Sequence, residues 1–242
     1  MRIFGLIGKQ LDHSYSKTYF KEKFDNEKIV DALYENFRLT NIEEFKDLIQ
    51  QHKFTGINVT NPFKKSIIPY LDELSPEVNL IGAVNTVLFS EGKTIGFNTD
   101  VYGFKRSIKP FLENTMERAL ILGTGGASMA VVFALKQIGI DCLLVSRNPD
   151  ENQMAYEDVN HLVIKYHLLI VNATPLGMYP QTDNYPKIPY EELTEKHLLV
   201  DLVYNPEKSL FLKKGEEKKS KILNGHSMLI HQAEESWKIW NT

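Results

Sequence analysis

The run Arg118-Ala119-Leu120-Ile121-Leu122-Gly123-Thr124-Gly125-Gly126-Ala127-Ser128 decides the fold class of this 242-residue chain. Its apolar stretch, Ala119 to Leu122, stops abruptly at glycine, as a short buried strand does. From Ala127 to Ile138 the pattern is helical, with Val131, Leu135 and Ile138 on the inner face. A strand, a glycine-rich turn and a helix in that order form the setting of a dinucleotide site. Gly123 permits the tight turn, and Gly125 lets backbone approach a pyrophosphate with no Cβ in the way. A small residue at Ser128 lets helix and strand pack closely. The helix start at Gly126 and Ala127 presents free N–H groups and a partial positive charge to phosphate. The alternative is a tight strand-to-helix turn with no ligand; the strand and helix on its flanks favour binding.

Further strands are expected at Asp141–Ser146, Leu168–Asn172 and His197–Leu202. Strands alternating with helices argue for βα units and a largely parallel sheet. In an NAD site, an acidic residue at the tip of the second strand holds the ribose 2′-hydroxyl. Here that tip reads Ser146-Arg147-Asn148, without an acid. Arg147 stands where a guanidinium grips a 2′-phosphate bidentately, so NADP is expected over NAD. Asp150 and Glu151 nearby are opposing charges that this reading does not explain. From Asn148 to His167 the chain is polar, weakly patterned and short for a full βα unit. The charged run Lys213 to Lys221 reads as a solvated helix end. His226 to Trp240 reads as a helix with Leu229, Ala233, Trp237 and Trp240 on one stripe.

Toward the N-terminus a second alternation appears. Arg2 to Gly8, Leu33 to Leu39 and Gly56 to Thr60 read as strands. Ser14 to Phe24 and Asn41 to Gln51 read as helices, the latter capped by Asn41 with Ile42, Phe45, Leu48 and Ile49 on one face. Pro62 ends the third strand and suits the first turn of a following helix. Basic residues number 28 against 31 acidic ones, a net charge of −3, so bulk electrostatics favour no nucleic-acid partner. A hydrophobic content of 43% rules out disorder as the main state. No apolar run approaches the roughly 20 residues that span a bilayer. The apolar start ends at Gly8, too short for a signal peptide, which makes a cytoplasmic protein the expectation. The single cysteine, Cys142, excludes an internal disulfide and a multi-cysteine metal site, and is expected as a packing residue. No metal is expected.

Polar clusters adjoin the N-terminal strands: Ser14-Tyr15-Ser16, Asn58 to Lys64, Gly82 to Thr86, and Asn98-Thr99-Asp100. Singly, each reads as caps or surface side chains. Together they suit a small polyhydroxylated ligand without phosphate, since hydroxyls and amides outnumber charges. Hydride transfer at an alcohol also needs a group that gives or takes the hydroxyl proton. A lysine held by a carboxylate does that.

These motifs, in order, resemble the shikimate dehydrogenase family over nearly the whole chain. The resemblance rests on His13-Ser14-Tyr15-Ser16, Asn58 to Lys64, Gly82 to Thr86, Asn98 to Asp100 and the turn Gly123 to Ser128. It continues through Asn172-Ala173-Thr174-Pro175 with Gly177, then Asp201-x-x-Tyr204-x-Pro206, and closes on Asn224-Gly225, Met228-Leu229 and Gln232-Ala233. It implies an α/β fold with two domains. The first is a substrate domain with a mostly parallel sheet, residues 1–100 plus 226–242, and the second a Rossmann-like NADP-binding domain, residues 101–225. The implied activity is reversible NADP-dependent reduction of 3-dehydroshikimate to shikimate, in the pathway to chorismate and aromatic amino acids. Lys64 and Asp100 would be the catalytic pair, and Ser14, Ser16, Thr60, Asn85, Tyr204 and Gln232 would contact substrate. Gly123, Gly125, Gly126, Ala127, Ser128, Ser146, Arg147, Asn172, Ala173 and Thr174 would line the NADP site. The expected assembly is a monomer or homodimer. Departures are Lys17 for the usual proline, Ser227 for a usual glycine, Ser146-Arg147-Asn148 for Asn-Arg-Thr, and a shortened Asn148–His167 stretch. Rival readings are a dehydrogenase that also takes quinate with broader cofactor use, and a non-catalytic NADP-binding sensor. The presence of both Lys64 and Asp100 argues against the sensor.

Overall fold

A computed structural model describes residues 1–12 and 14–242; His13 of the first serine motif lies outside the described residues. The chain divides into two compact units, residues 1–100 with 232–242, and residues 101–231. Each is an α/β unit on a six-stranded sheet.

The first unit is built from β1 (Arg2–Gly8), α1 (Ser16–Asn26), β2 (Ala32–Arg38), α2 (Glu44–Gln51) and β3 (Phe54–Val59). There follow β4 (Glu73–Leu74), α3 (Pro76–Ile81), β5 (Thr86–Ser90) and β6 (Lys93–Phe97), in the sheet order β2-β1-β3-β5-β6-β4. Alternate residues of β1 feed opposite cores, which is why its sequence carries no polar side chain from Ile3 to Ile7. Ile7 joins a cluster with Phe45, Ile57, Val59 and Ile67. Phe4 and Leu6 join the other, with Phe20, Tyr34, Ala233 and Trp240.

β1 pairs in parallel with β2 and β3, while β5 runs antiparallel to both β3 and β6. Its hairpin turns at Glu91 and Gly92, both at positive φ (52° and 78°), a two-residue turn that matches strand twist. Residues after Pro62 form turns and a 3₁₀ segment, Ile68–Tyr70, rather than the expected helix. Pro69 lies inside that stretch and removes a backbone donor that a helix would need.

The second unit contains β7 (Arg118–Leu122), α5 (Gly126–Lys136), β8 (Asp141–Ser146), β9 (Gln153–Ala155), α6 (His161–Tyr166) and β10 (Leu169–Asn172). It continues with β11 (Leu198–Asp201), α7 (Leu210–Glu217) and β12 (Lys221–Leu223). All ladders are parallel in the order β12-β11-β10-β7-β8-β9, the doubly wound Rossmann arrangement. The order reverses between β7 and β10, so the carboxyl ends of these two strands flank a crevice. The weakly patterned 148–167 stretch supplies β9 and the short α6, which Asn160 caps by accepting from the N–H groups of Leu162 and Val163. α5 ends at Lys136, so Ile138 leaves the expected inner face and is 41% exposed. Gly139, at φ +79°, turns the chain toward β8.

Helix α4 (Asp100–Ile108) begins at the last residue of the first unit's N-terminal portion, and α8 (His226–Trp240) passes from one unit into the other between His231 and Gln232. Trp240, 3% exposed, lies so close over Gly56 that a Cβ there would stand 2.1 Å from the indole. The indole Nε1 donates to the Val87 carbonyl at 3.0 Å, and the ring sits 5.0 Å from that of Phe4. Trp240→Ala is therefore expected to cost about 3–5 kcal/mol in urea unfolding. A loss below about 1 kcal/mol would contradict the placement of this side chain in the core.

Candidate active site

Buried polar groups must find partners, and in the first unit they find one another. Lys64 follows β3 by a few residues, while Asp100 is the first residue of α4, where the helix dipole favours a carboxylate. Lys64 Nζ donates to Asp100 Oδ2 at 2.6 Å, with side chains 18% and 7% exposed. The second carboxylate oxygen, Oδ1, accepts from Asn85 Nδ2 at 3.0 Å. Asn85 is itself held, because its Oδ1 accepts from the Thr99 backbone N–H at 2.7 Å and its Nδ2 also donates to Gln232 Oε1 at 3.3 Å. Lys64, Asn85, Asp100 and Gln232 thus form one connected cluster, with Gln232 delivered by α8.

Behind it lies a hydroxyl and amide hub. Asn58 Nδ2 donates to Thr86 Oγ1 at 3.1 Å and Ser236 Oγ at 3.0 Å, and Asn58 Oδ1 accepts from the Tyr34 hydroxyl at 2.8 Å. Ser236 Oγ also lies 3.1 Å from Thr99 Oγ1. Burial pushes the Tyr34 phenol far above its ordinary range, a shift that a hydrogen bond with Ser16 opposes. That bond joins the serine motif to the hub. Ser14 and Ser16 are half-buried, and the Ser16 N–H lies 3.4 Å from Ser14 Oγ. Thr60 is half-buried just after β3, its N–H donating to the Ile7 carbonyl.

Tyr34 and Ser236 of this network lie outside the polar clusters legible in the sequence, whereas Thr99 lies within one of them. Ser236 carried a signal. It stands four residues after Gln232, so both face the same side of α8, where a buried polar stripe interrupts an apolar helix.

In the second unit, the glycine turn has the expected form. Gly123 sits at φ +106°, and a Cβ there would stand 2.8 Å from Thr174 Cγ2 and 3.3 Å from the Ala173 backbone. A Cβ on Gly125 would meet nothing within 4 Å, so backbone is open to a ligand at this point. Gly125 caps α5 without a side-chain partner for the first-turn amides of Gly126 and Ala127, while buried Ser128 donates to the Gly125 carbonyl at 2.6 Å. At the tip of β8, Ser146 Oγ donates to the Asn148 carbonyl at 3.1 Å and accepts from its N–H at 3.2 Å. The closed turn holds Arg147 outward and exposed. Asp150, unexplained by sequence, accepts from Gln153 Nε2 at 2.7 Å and shapes the approach to β9. Glycine backbone, uncapped amides and an exposed arginine without a strand-tip acid fit a phosphorylated dinucleotide.

Asn172 is fully buried, and its amide is engaged within the unit: Oδ1 accepts from Thr174 N at 3.1 Å and Thr174 Oγ1 at 2.6 Å. Its Nδ2 donates to Asp201 Oδ1 at 2.9 Å. Asn172 therefore shapes the turn that Ala173 and Thr174 present. Tyr204 is half-buried in the second unit, after β11. Cys142 is half-buried, and burial pushes its thiol up to about 11, which disfavours the thiolate. Among the described residues no histidine, cysteine or carboxylate cluster suits a metal ion, and no helix is long and apolar enough to cross a membrane.

A Rossmann unit joined to a second α/β unit with a lysine–carboxylate pair defines the class of dinucleotide-linked oxidoreductases. Comparison with known proteins narrows it. Residues 6–87 match the family model for the shikimate dehydrogenase substrate binding domain. The NADP(+) shikimate dehydrogenase of Desulforamulus reducens is 33% identical over 99% of this chain and 89% of its own length. The crystal structure of shikimate dehydrogenase from Aquifex aeolicus superposes with a TM-score of 0.89 at 35% identity, covering 100% of this chain and 92% of that one. The enzyme from Thermus thermophilus, solved with NADP(H) and shikimate, gives 0.88 at 32% identity, over 99% and 93% of the two chains. The chain belongs to the shikimate dehydrogenase family.

One titration in the second unit has a stability consequence. Burial pushes the Asp201 carboxyl from 3.8 up to about 7, against hydrogen bonds from Ser209, Val203 and Asn172 that favour the ionised form. The folded chain then holds a proton that the unfolded chain releases, so this group's contribution is full below about pH 4 and declines as pH rises toward about 7. Melting temperature followed across that window should carry this decline in the wild type and lack it in Asp201→Asn. Parallel profiles for the two proteins would contradict the buried carboxyl.

Proposed function

We propose that this protein is an NADP-dependent shikimate dehydrogenase that interconverts 3-dehydroshikimate and shikimate. It would act in the cytoplasm as a monomer or homodimer, with no nucleic-acid or membrane partner. The observation that carries the reading is the Lys64–Asp100 pair, both of whose carboxylate oxygens are occupied, one by Lys64 and one by Asn85. Division of the chain follows: residues 1–100 with the end of α8 hold substrate, and the Rossmann unit holds NADP.

NADPH, held by the glycine turn and Arg147 of the Rossmann unit, would supply the hydride for the carbonyl carbon. Lys64 carries three N–H donors, one of which goes to Asp100. A second directed at the substrate's C3 oxygen stabilises negative charge as it develops and passes a proton to it. Asp100 holds the ammonium in place and accepts from an adjacent hydroxyl. Ser14 and Ser16 take the carboxylate, while Thr60, Asn85 and Gln232 take the ring hydroxyls; such fixing of the ring presents one face. Gly123 through Ser128 would hold the pyrophosphate, Arg147 with Ser146 the 2′-phosphate, and the Asn172–Thr174 turn the remainder. Arg147 and the missing strand-tip acid favour NADP over NAD.

Lys64→Ala should lower kcat about a hundred- to ten-thousand-fold while the protein folds normally. Retention of more than about a tenth of wild-type turnover would remove Lys64 from the mechanism. Arg147→Ala should raise the KM for NADPH about tenfold or more and leave that for NADH within about twofold, since only NADPH carries the 2′-phosphate. Equal effects on both would rule out this contact. The same assay with quinate and NAD separates the rival activity: a higher kcat/KM for that pair than for shikimate with NADP would overturn the assignment.

A further inference from the structure

Asp201 is the one charged group of the second unit's motifs to which the reading above gives no task. It is fully buried at the end of β11, directly beside Asn172 in the β10–β11 register. Its Oδ1 accepts from Asn172 Nδ2 at 2.9 Å and from the Val203 N–H at 3.0 Å, and its Oδ2 accepts from the Ser209 hydroxyl. These partners are neutral, so the carboxylate is held by directed hydrogen bonds instead of an ion pair.

The arrangement fixes the direction of one amide. An ionised carboxylate only accepts, so the Asn172 side chain must turn its Nδ2 toward Asp201. Its Oδ1 is then committed to the opposite side, where it takes both the N–H and the hydroxyl of Thr174. Asn172 Nδ2 also reaches the Leu176 carbonyl at 3.2 Å, and Thr174 Oγ1 accepts from the Leu176 N–H at 3.2 Å. At the far end of this turn Ser209, which donates to the same carboxylate, packs close to Gly177. A Cβ on Gly177, which sits at φ +91°, would stand 3.2 Å from Ser209 Cβ. The near end lies on the glycine turn, where Thr174 and Ala173 close over Gly123.

We propose that Asp201 is a positioning residue for the dinucleotide site: by orienting Asn172 and seating Ser209, its carboxylate fixes the 173–177 turn against Gly123. The inference rests on the reading that this turn contacts NADP. Fully buried, Asp201 acts through Asn172.

The test compares wild type with Asp201→Ala, Asp201→Asn and Ser209→Ala at about pH 8, where the carboxylate is mostly ionised. Hydrogen exchange at the Thr174 and Leu176 amides is followed in the protein without cofactor, and NADPH binding by fluorescence titration. Asp201→Ala should speed exchange at both amides and raise the NADPH Kd about tenfold or more, as loss of hydrogen bonds to a charged group does. Asp201→Asn should remain within about threefold of wild type, because its oxygen still accepts from Asn172 and Val203 and its amide nitrogen donates to Ser209. If Asp201→Ala shows no cooperative unfolding, Ser209→Ala decides, with an expected Kd increase of about threefold or more. A folded variant of either kind whose amide exchange or NADPH Kd stays within about twofold of wild type overturns the inference. Failure of the wild-type protein to bind NADPH overturns the cofactor reading and this inference with it. Tight wild-type binding with an unresponsive Asp201→Ala overturns this inference alone.

Discussion

The ion pair between Lys64 and Asp100 is the contact on which the functional account depends. A lysine and a carboxylate that are mostly withdrawn from water lose much of their hydration, and only close geometry with further hydrogen bonds offsets that loss. Asn85 supplies the further bond to the carboxylate, and Thr99 fixes Asn85. The hub of Asn58, Thr86, Thr99 and Ser236 then holds the strands and α8 that carry these groups. The polar interior is connected from the Ser16–Tyr34 bond to the Asn85 amide, and its reactive end is the ammonium of Lys64.

The two units handle polarity in different ways. The first holds a large buried network of amides and hydroxyls at the end of a mixed sheet, suited to a ligand recognised by many hydrogen bonds. The second concentrates its features at the carboxyl ends of parallel strands, in exposed glycine backbone, uncapped amides and the arginine at the tip of β8. Asp201 is the exception, a carboxylate inside the second unit's polar layer that organises a turn. Stability and site geometry meet there, since the carboxyl whose burial raises its affinity for a proton is also the group that accepts from Asn172 and Ser209.

Much of this was legible in the sequence, for physical reasons that differ by region. The strands and helices of the second unit announced themselves because parallel strands buried on both faces read as unbroken apolar runs, as in Leu120-Ile121-Leu122. The β5–β6 hairpin was not read, because its Glu91-Gly92 turn lies outside the commonest turn dipeptides and its strands mix polar and apolar residues. Pro62 suits the first turn of a helix, but Pro69 further along lacks the backbone donor a helix needs, and turns with a short 3₁₀ segment form instead. The family resemblance points to Lys64, Asp100, Asn85 and Gln232, and the structure joins them by hydrogen bonds. Asn58, Thr86 and Thr99 of the hub stand in polar clusters legible in the sequence, whereas Tyr34 and Ser236 do not, because a lone tyrosine or serine at a buried position looks locally like strand or helix filler. Their significance is tertiary and appears only when β3, β5, the residues before α4, and α8 converge.

Replacement of Asp100 by asparagine gives the most direct test of the central claim. The variant keeps the shape and the oxygen that faces Asn85 while removing the charge that holds Lys64. The account predicts that kcat for shikimate oxidation falls about a hundredfold or more, the signature of a group used in the chemical step. A kcat within about twofold of wild type would show that the pair does not handle the proton.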